Sequence, residues 1–388
     1  MNRIAYIGTY VPQKCGIATY THHLRQSVNG ARGWKGQDEV YAVKPAFSLL
    51  GDTDPMIHEV EKEDRKAYRK LAERLNRSDV SVVSLQHEFG IFGGEAGEYV
   101  LDLVDHLDKP LAVTFHTVFE HPEEPYLSIQ KRIAQRSDLI LVMNRLAAGY
   151  LHRSMGVPMD KIRCVPHGTP EPAAGLRERT RQSMGWDGHK VMMSFGLLSR
   201  GKGFELILRA LPDVVRKVPN ALYAIVGQTH PEVRKWEGEA YRQELESLAR
   251  ELGVDGHVVM IDRFVEENEL AGLLSAADLY VTPYPGMQQI TSGTLAYAVG
   301  LGRPVLTTPY AYAKDLLGDY PELLIPFDDM QGWSEQMGAI LSEEETAKRW
   351  EREMGRIGAD MHWSKVGQLH LELFNGLAAS VPEIMKAN

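Results

Sequence analysis

Short apolar runs alternate with longer amphipathic stretches along most of the chain. The short runs, rich in Val, Ile and Leu, predict buried strands, and the stretches with apolar residues three and four apart predict helices. Strands are predicted at 3–9, 39–43, 80–85, 111–115, 139–143, 162–165, 191–195, 221–226, 258–261, 279–282, 304–306 and 322–326. Helices are predicted at 17–28, 59–76, 129–136, 144–155, 204–217, 241–252, 266–276, 295–302 and 365–379. This alternation is typical of α/β proteins with parallel sheets.

The pattern changes between residues 169 and 190. This segment is rich in Pro, Gly and charged residues, and its first half has no apolar periodicity. We interpret it as a linker between two α/β series. The fold class predicted is therefore two Rossmann-like domains, 1–170 and 171–360, that face each other across a cleft.

Length and charge support this organisation and exclude some partners. A chain of 388 residues is too long for one core, and a net charge of −9 argues against a nucleic-acid partner. Cys15 and Cys164 have no framework spacing, so we expect a reducing, cytoplasmic location. The chain begins directly with a strand-like run, so we expect no signal peptide, and no apolar run is long enough to cross a membrane.

A hydroxyl-rich segment precedes the predicted helix at 295–302. Thr291, Ser292, Gly293 and Thr294 follow a turn at 284–286, and they offer backbone N–H groups and short hydroxyls. This chemistry is typical of a phosphate site at a helix N-terminus. The alternative is an ordinary N-cap without a ligand.

A second candidate is the glycine-rich loop from Gly196 to Gly203, which carries Arg200 and Lys202. The loop follows a predicted strand, so it should lie at the same sheet edge as the hydroxyl-rich segment, where both can face one diphosphate. Cations and helix amides can stabilise a departing diphosphate without a metal ion. Asp328 and Asp329 are adjacent rather than spaced, which indicates a loop or cap and no metal site.

Polar residues also follow predicted strands in the first half of the chain. Gly16 opens the first helix, His87 and Glu88 follow the strand at 80–85, and His116 follows the strand at 111–115. Gly16 is therefore a position where a ligand could approach the backbone closely, and His87 and Glu88 are candidates for binding an acceptor substrate. His116 is a candidate hydrogen-bond donor or general base. The alternatives are a tight turn, a salt-linked loop pair and a structural histidine, respectively.

The order and spacing of these motifs resemble family 4 glycosyltransferases of the GT-B fold over essentially the whole chain. The matching segments are the Gly16 loop, 114–116, 166–168, 196–203, 277–283 and 300–305. The resemblance implies transfer of a hexosyl group from a GDP- or UDP-linked sugar with retention of configuration. It implies no metal or other cofactor, and a carbohydrate or lipid-linked acceptor, as expected in carbohydrate biosynthesis.

The resemblance also implies roles for individual residues. Lys202 would bind the donor diphosphate, His116 would contact the donor sugar, and Gly16 would approach the phosphates. Residues 1–170 would form the acceptor-side domain and 171–360 the nucleotide-sugar domain, with 361–388 crossing back to the first. The remaining donor-site candidates are Gly196, Arg200, Arg263, Phe264, Gln289, Thr291, Ser292, Gly293, Thr294 and Tyr297.

Three positions depart from the family pattern. Gln289 and Tyr297 stand where the family commonly carries two glutamates, and Leu197 stands where it carries an arginine. Gln289 can still hydrogen-bond to sugar hydroxyls, but Tyr297 cannot accept a ribose diol as a carboxylate does. Arg200, three residues after Leu197, is the candidate substitute for the missing arginine, and with His116, Lys202 and Gln289 it completes the predicted catalytic set.

Other functions remain open. A silent nucleotide-sugar-binding protein would share the fold and explain the missing glutamates, and an epimerase of similar fold would act on the donor alone. The basic stretch at 129–136 is interpreted as a solvated face, although it also allows peripheral membrane contact.

Overall fold

The computed structural model describes residues 2–34, 38–45 and 54–380, which form two α/β units. The first unit contains the described residues up to Gly168 together with those from Trp363 onward. The second unit is Thr169–His362. The sequence placed these divisions after residues 170 and 360.

The first unit is built on a parallel sheet whose central strands are covered on both faces. Its strands are β1 (Arg3–Gly8), β2 (Glu39–Lys44), β3 (Ile57–Glu61), β4 (Val80–His87), β5 (Leu111–Phe115), β6 (Leu139–Val142) and β7 (Ile162–Cys164). Their order is β3-β2-β1-β4-β5-β6-β7. Burial on both faces explains why most of these strands read as unbroken apolar runs. The strand order reverses direction between β1 and β4, and ligands of open α/β sheets bind at such a point.

In the described residues, the helices that connect these strands are α1 (Gly16–Ala31), α2 (Arg65–Arg77), α3 (Val100–Val104), α4 (Tyr126–Arg136) and α5 (Arg145–Met155). Side chains mark some of their ends. Asn144 caps α5 by accepting from the amides of Leu146 and Ala147, and Gly156 ends that helix in the left-handed conformation.

The second unit has a smaller parallel sheet with the order β10-β9-β8-β11-β12. Its strands are β8 (Lys190–Phe195), β9 (Ala221–Val226), β10 (Val258–Ile261), β11 (Leu279–Thr282) and β12 (Val305–Thr307). The reversal of strand order lies between β8 and β11, so the loops that follow these two strands share the ligand-binding edge of this sheet.

The helices of the second unit are α6 (Leu176–Met184), α7 (Phe204–Lys217), α8 (Pro231–Glu237), α9 (Ala240–Glu251), α10 (Glu267–Ala276), α11 (Gly293–Gly300), α12 (Ala311–Leu317), α13 (Met330–Ser342) and α14 (Glu344–Gly358). The following helix, α15 (Trp363–Ala379), belongs to the first unit and packs on α1. Gly367 allows this close packing, because a Cβ there would lie 2.5 Å from Cβ of Ser27.

The predicted helix at 59–76 is wrong in its first part. Residues Ile57–Glu61 form β3 and pair with β2, and the helix begins only at Arg65. Asp64 marks that start by accepting from the amide of Lys66. A five-residue strand with charged residues on one side is easily hidden within a charge-rich helical pattern.

The predicted linker at 169–190 is also wrong, because α6 lies inside it. Arg177 and Arg181 of this helix bind Asp278, which immediately precedes β11. This highly charged helix has no buried residues of its own, and its arginines hold it through the part-buried carboxylate of Asp278 and through backbone carbonyl oxygens rather than through an apolar stripe.

The predicted strand at 322–326 reduces to a single bridge. Leu324 pairs with Thr307 after a 3-10 turn at Pro321–Leu323. Proline at 321 and 326 limits the backbone donors available there, so a longer ladder does not form.

Candidate functional site

The glycine-rich loop of the second unit packs against the turn that follows β11. Gly203 has a φ of +64°, and a Cβ there would lie 2.3 Å from the carbonyl oxygen of Pro283. Gly196 has a φ of +152°, and a Cβ at Gly227 would lie 2.1 Å from the Gly196 carbonyl oxygen. At Gly203 and Gly227 the neighbouring backbone is too close for a side chain. The loop after β8 and the turn after β11 are thereby brought together at the point of strand reversal.

Lys202 is the cation that this packing positions. Its stem lies beside Gly196, where a Cβ would be 3.5 Å from Cε of Lys202. Its Nζ lies 4.3 Å from the centroid of the Tyr284 ring. Within the described ranges, no carboxylate forms an ion pair with this ammonium group. The charge of Lys202 is therefore not neutralised by a neighbouring carboxylate of the described chain.

Arg200, two residues earlier, has a different environment. Its guanidinium binds Glu244 in a bidentate pair, with distances of 2.7 Å and 2.6 Å, and Nε lies 3.5 Å from Glu237. The hydrogen bonds that Arg200 donates to Glu244 raise the pKa of Arg200 and lower the pKa of Glu244. The structure thus places Arg200 within a surface ion pair, and its predicted contact with the diphosphate stays a prediction.

The hydroxyl-rich segment forms the start of α11. Ser292 is the N-cap, and its Oγ accepts from the amide of Leu295 at 3.4 Å. The amides of Gly293 and Thr294 have no acceptor within the part of the chain that the structure describes. Thr291 Oγ1 is buried without a hydrogen-bond partner among these residues. The capping interpretation is confirmed, and the two amides keep the capacity to bind an anion.

The two positions that lack glutamates differ sharply in exposure. Gln289 is exposed and donates to the carbonyl oxygen of Thr291 at 2.8 Å. Tyr297 is buried, and its hydroxyl donates to Oε1 of Glu267 at 2.5 Å. Glu267 begins α10, thirty positions earlier in the chain. A carboxylate is therefore present at the tip of the tyrosine, although not at the sequence position where the family carries it.

Arg263 and Phe264 follow β10. Arg263 is exposed and pairs with both carboxylate oxygens of Glu269, which raises the pKa of Arg263. Phe264 is half-buried. Their predicted contact with the donor stays a prediction.

In the first unit, Gly16 leaves the start of α1 open. No atom would lie within 4 Å of a Cβ at this position, so tight packing is not the reason for glycine here. Cys15 caps the helix, with Sγ accepting from the amide of Ala18 at 3.3 Å. The start of α1 lies at the first unit's own point of strand reversal, where a ligand can approach the backbone.

His116 follows β5 and is 8% exposed. Its Nε2 lies 3.0 Å from Oε1 of Gln86, and its ring lies edge-on to Tyr20 with a centroid distance of 5.1 Å. Burial, together with His167 and His87, lowers the pKa of His116 to about 3. The imidazole is therefore neutral at physiological pH.

His87 lies inside the sheet of the first unit rather than beyond the end of its strand. β4 ends at His87 rather than at residue 85, so the imidazole is fully buried against Phe89, Phe92 and Phe115. Both ring nitrogens lack hydrogen-bond partners in the described chain, and burial lowers the pKa of His87 to about 3. A side chain enclosed in this way cannot contact an acceptor in this conformation.

Glu88 is also committed to local structure. Its carboxylate accepts from the amide of Phe89 at 3.0 Å and from the hydroxyl of Thr117. Burial raises the pKa of Glu88, and these two hydrogen bonds oppose that effect. Glu88 thus joins the loop after β4 to the loop after β5 instead of forming a salt link with His87.

No group of three or more His, Cys, Asp or Glu side chains that could hold a metal ion occurs in residues 2–34, 38–45 and 54–380. Asp329 caps α13 by accepting from the amide of Gly332, as its position near a helix start suggested. No helix in the described ranges is both long and apolar enough to cross a bilayer.

Two family models match consecutive parts of the chain. The model described as "Glycosyltransferase Family 4" matches residues 36–171, and the model described as "Glycosyl transferases group 1" matches residues 177–354. The chain belongs to glycosyltransferase family 4. This confirms the family that the order of the motifs suggested.

Curated relatives of this family 4 chain match over part of their length. Spore coat protein SA of Bacillus subtilis (strain 168) is 24% identical over 206 residues, which is 51% of this chain and 52% of that protein. A GDP-mannose-dependent alpha-(1-6)-phosphatidylinositol monomannoside mannosyltransferase of Mycolicibacterium smegmatis is 29% identical over 159 residues, or 39% of this chain and 38% of that one. The chain thus spans about half or less of the length of these relatives.

Solved structures match over nearly the whole chain. Anabaena Alr3699/HepE in complex with UDP and glucose has a TM-score of 0.76 at 14% identity, covering 97% of this chain and 100% of that one. Sucrose-phosphate synthase from Thermosynechococcus elongatus has a TM-score of 0.76 at 18% identity, covering 98% and 100%. These likenesses confirm the GT-B fold of this family 4 chain.

Proposed function

We propose that this protein is a retaining, metal-independent glycosyltransferase that moves a hexosyl group from a nucleotide-diphosphate sugar to a hydroxyl acceptor. The observation that carries this proposal is the position of Lys202, a cation without a described carboxylate partner, held at the strand reversal of the second unit. Relatives support the substrate class, because one is named for GDP-mannose and a phosphatidylinositol mannoside, and a solved neighbour contains UDP and glucose.

In this mechanism the second unit stabilises the leaving group. The bond from the anomeric carbon to the diphosphate oxygen breaks, and a bond to the acceptor oxygen forms on the same face. The acceptor proton passes to the departing phosphate oxygen. Lys202 and the amides of Gly293 and Thr294 would stabilise the charge that develops there, as preorganised donors do in other transferases.

Glu267 would bind the ribose diol in place of a glutamate at position 297. This role is supported by the hydrogen bond that the hydroxyl of Tyr297 donates to Glu267, because this bond orients the carboxylate beside α11. A carboxylate can accept from two vicinal hydroxyls, which the tyrosine alone cannot do. In the first unit, His116 would bind a sugar hydroxyl, and Gly16 would leave space for the substrate.

The proposal is tested by transfer assays with GDP- and UDP-linked hexoses, carbohydrate and lipid-linked acceptors, and excess EDTA. Lys202→Ala should reduce turnover by about 10²-fold or more, because a preorganised charge is lost from the leaving-group site. Arg200→Ala is the matched control and should change turnover far less, because Arg200 pairs with Glu244. NMR of the product should show the anomeric configuration of the donor. Near-normal turnover by Lys202→Ala, or turnover abolished by EDTA, would contradict the mechanism.

A silent nucleotide-sugar-binding protein is the second candidate, and the exposed amide of Gln289 favours it because no charge stands at that position. This alternative predicts that nucleotide diphosphates stabilise the protein in a thermal-shift assay while no acceptor is glycosylated. Donor epimerisation without an acceptor would instead identify an epimerase.

A further inference from the structure

Gln86 is a buried polar residue to which no role has been assigned. It lies in β4, two residues after Ser84 on the same face of the sheet, and it is the register partner of Thr114 in β5. Its side chain is fully buried. Gly8 in β1 leaves room for it, because a Cβ at Gly8 would lie only 3.0 Å from Cβ of Gln86. Three neighbouring strands therefore fix the position of this amide.

The hydrogen bonds of Gln86 determine which way the amide points. Its Nε2 donates to Ser84 Oγ at 3.2 Å and to Thr114 Oγ1 at 3.4 Å, and its Oε1 lies 3.0 Å from Nε2 of His116. In this orientation both N–H groups and the carbonyl oxygen have partners. With the amide reversed, one N–H would face His116 and the other would have no described acceptor, which costs about 1–3 kcal/mol for a buried donor. His116 must therefore donate from Nε2.

We propose that Gln86 is a positioning residue that holds His116 as the neutral Nε2–H tautomer and so leaves Nδ1 as a fixed hydrogen-bond acceptor for a substrate hydroxyl. Within the described ranges, no residue hydrogen-bonds to Nδ1 of His116. The assignment of the tautomer rests on the geometry alone, and only the substrate hydroxyl rests on the proposed transferase function.

The surroundings of His116 support a neutral ring. The titratable groups that face it are Tyr20 of α1, His87 of β4 and His167 after β7. Burial is the largest effect, and the two histidines add to it, so that the pKa of His116 falls to about 3. An imidazole in this setting accepts a proton poorly, but it can accept a hydrogen bond throughout the physiological pH range.

The tautomer can be measured without any enzymatic activity. In the full-length protein labelled with ¹⁵N-histidine, long-range ¹H–¹⁵N correlation spectra distinguish the two neutral tautomers, and His116→Gln assigns the signal. We expect Nε2 to be protonated, Nδ1 to be unprotonated, and the pattern to remain constant from pH 8 to pH 5.5. A protonated Nδ1, or titration of His116 near pH 6.5, would overturn the proposal even if the protein is an active transferase.

Variants of Gln86 separate positioning from simple stability. Gln86→Met removes the partner of Nε2 and should lower kcat by about 10–100-fold with little change in KM, because a ring that is no longer held in place is misaligned with the substrate. Gln86→Glu keeps an acceptor for the Nε2 proton, so it should keep the tautomer, raise the pKa of His116 and move the acid limb of kcat to higher pH. An unchanged tautomer signal in Gln86→Met, or a Gln86→Glu acid limb that stays in place, would refute the role.

Gln130 provides a matched control. It is an equally buried glutamine of the first unit whose amide donates to the carbonyl oxygen of Thr117 at 2.7 Å, and within the described chain it forms no hydrogen bond with the His116 ring. Gln130→Met should lower stability without changing the tautomer signal of His116. If no transferase activity is found under any condition, the NMR result still stands, and only the role of Nδ1 toward a substrate is lost.

Discussion

Replacing His87 with phenylalanine tests how the first unit tolerates a buried imidazole. His87 is fully enclosed by Phe89, Phe92 and Phe115, and both of its ring nitrogens lack described partners. A phenyl ring suits this aromatic environment, because it brings no polar atoms that need hydrogen bonds. The variant removes one titrating group and keeps an aromatic side chain.

The expected effect at neutral pH is small. Relieving an unsatisfied buried polar group is worth about 1–3 kcal/mol, whereas adding atoms to a packed core costs about 1–3 kcal/mol. These contributions oppose each other, so we expect the free energy of unfolding at pH 7 to change by about 1 kcal/mol or less.

The effect of acid is larger and has a definite sign. The pKa of His87 is about 3 in the folded protein and about 6.5 in an unfolded chain. Between these values the unfolded state binds more protons, so stability falls as pH falls below about 6.5. From pH 7 to pH 5.5 the wild type should lose about 1.3 kcal/mol through His87, a loss that the phenylalanine variant avoids. His370 is also buried with a lowered pKa, and it cancels in the comparison. His116 loses the effect of His87 in the variant, but burial is the largest cause of its lowered pKa, so its contribution changes little between the two proteins.

Urea unfolding at pH 7 and pH 5.5 would measure this difference. Pulse hydrogen exchange at one fixed labelling pH, followed by mass spectrometry of peptides from β4 and β5, reports on the first unit without interference from the second. The stability of His87→Phe relative to wild type should improve by about 1.3 kcal/mol between the two pH values. An unchanged difference would refute the buried neutral state. Loss of acceptor binding in a folded variant would restore the predicted acceptor role of His87.

Two further predictions concern the second unit. Glu267→Gln should weaken donor binding by about tenfold in calorimetry, because a neutral amide replaces the carboxylate that we propose as the acceptor of the ribose diol. Glu266 is exposed, so Glu266→Gln should leave donor binding unchanged. Equal donor affinities of the two variants would show that Glu267 does not bind the donor. Gly227→Ala should lower the free energy of unfolding by about 3 kcal/mol or more, because its Cβ would meet the Gly196 carbonyl oxygen and its φ is +131°. Gly256→Ala, with no atom within 4 Å of its Cβ, should change stability far less in the same denaturation assay.

The alternation of apolar runs and helical stretches was sufficient to predict most strands of both sheets. β5, β9, β10 and β11 lie at the residues predicted. β5, β9 and β11 are largely buried, and strands buried on both faces need unbroken apolar sequences. The failures share a physical cause. β3 and α6 are rich in charged residues and are held by strand pairing and by the Asp278 ion pairs, which are contacts that local periodicity does not reveal.

The candidate site was predictable where a motif fixes the backbone. Lys202 and Ser292 lie on loops that follow adjacent strands, and that adjacency follows from the rule for parallel sheets. The predicted end of the strand before His87 was wrong, because the strand continues two residues further than its apolar run, and this places the ring inside the sheet rather than beyond it. An error of two residues at a strand end is thus enough to convert a predicted ligand contact into a core residue.

Residues that act through tertiary contacts left no signal in the sequence. Glu267 stands thirty positions before Tyr297, and only the folded unit places its carboxylate at the tyrosine hydroxyl. Gln86 stands thirty positions before His116, and only the pairing of β4 with β5 makes it the partner of that ring. In both cases a residue at a position characteristic of the family, Tyr297 or His116, is hydrogen-bonded to a residue that lies outside the family motifs. The absence of a carboxylate at position 297 is therefore weak evidence against activity, because the chemistry that the position requires can come from another element of the same unit.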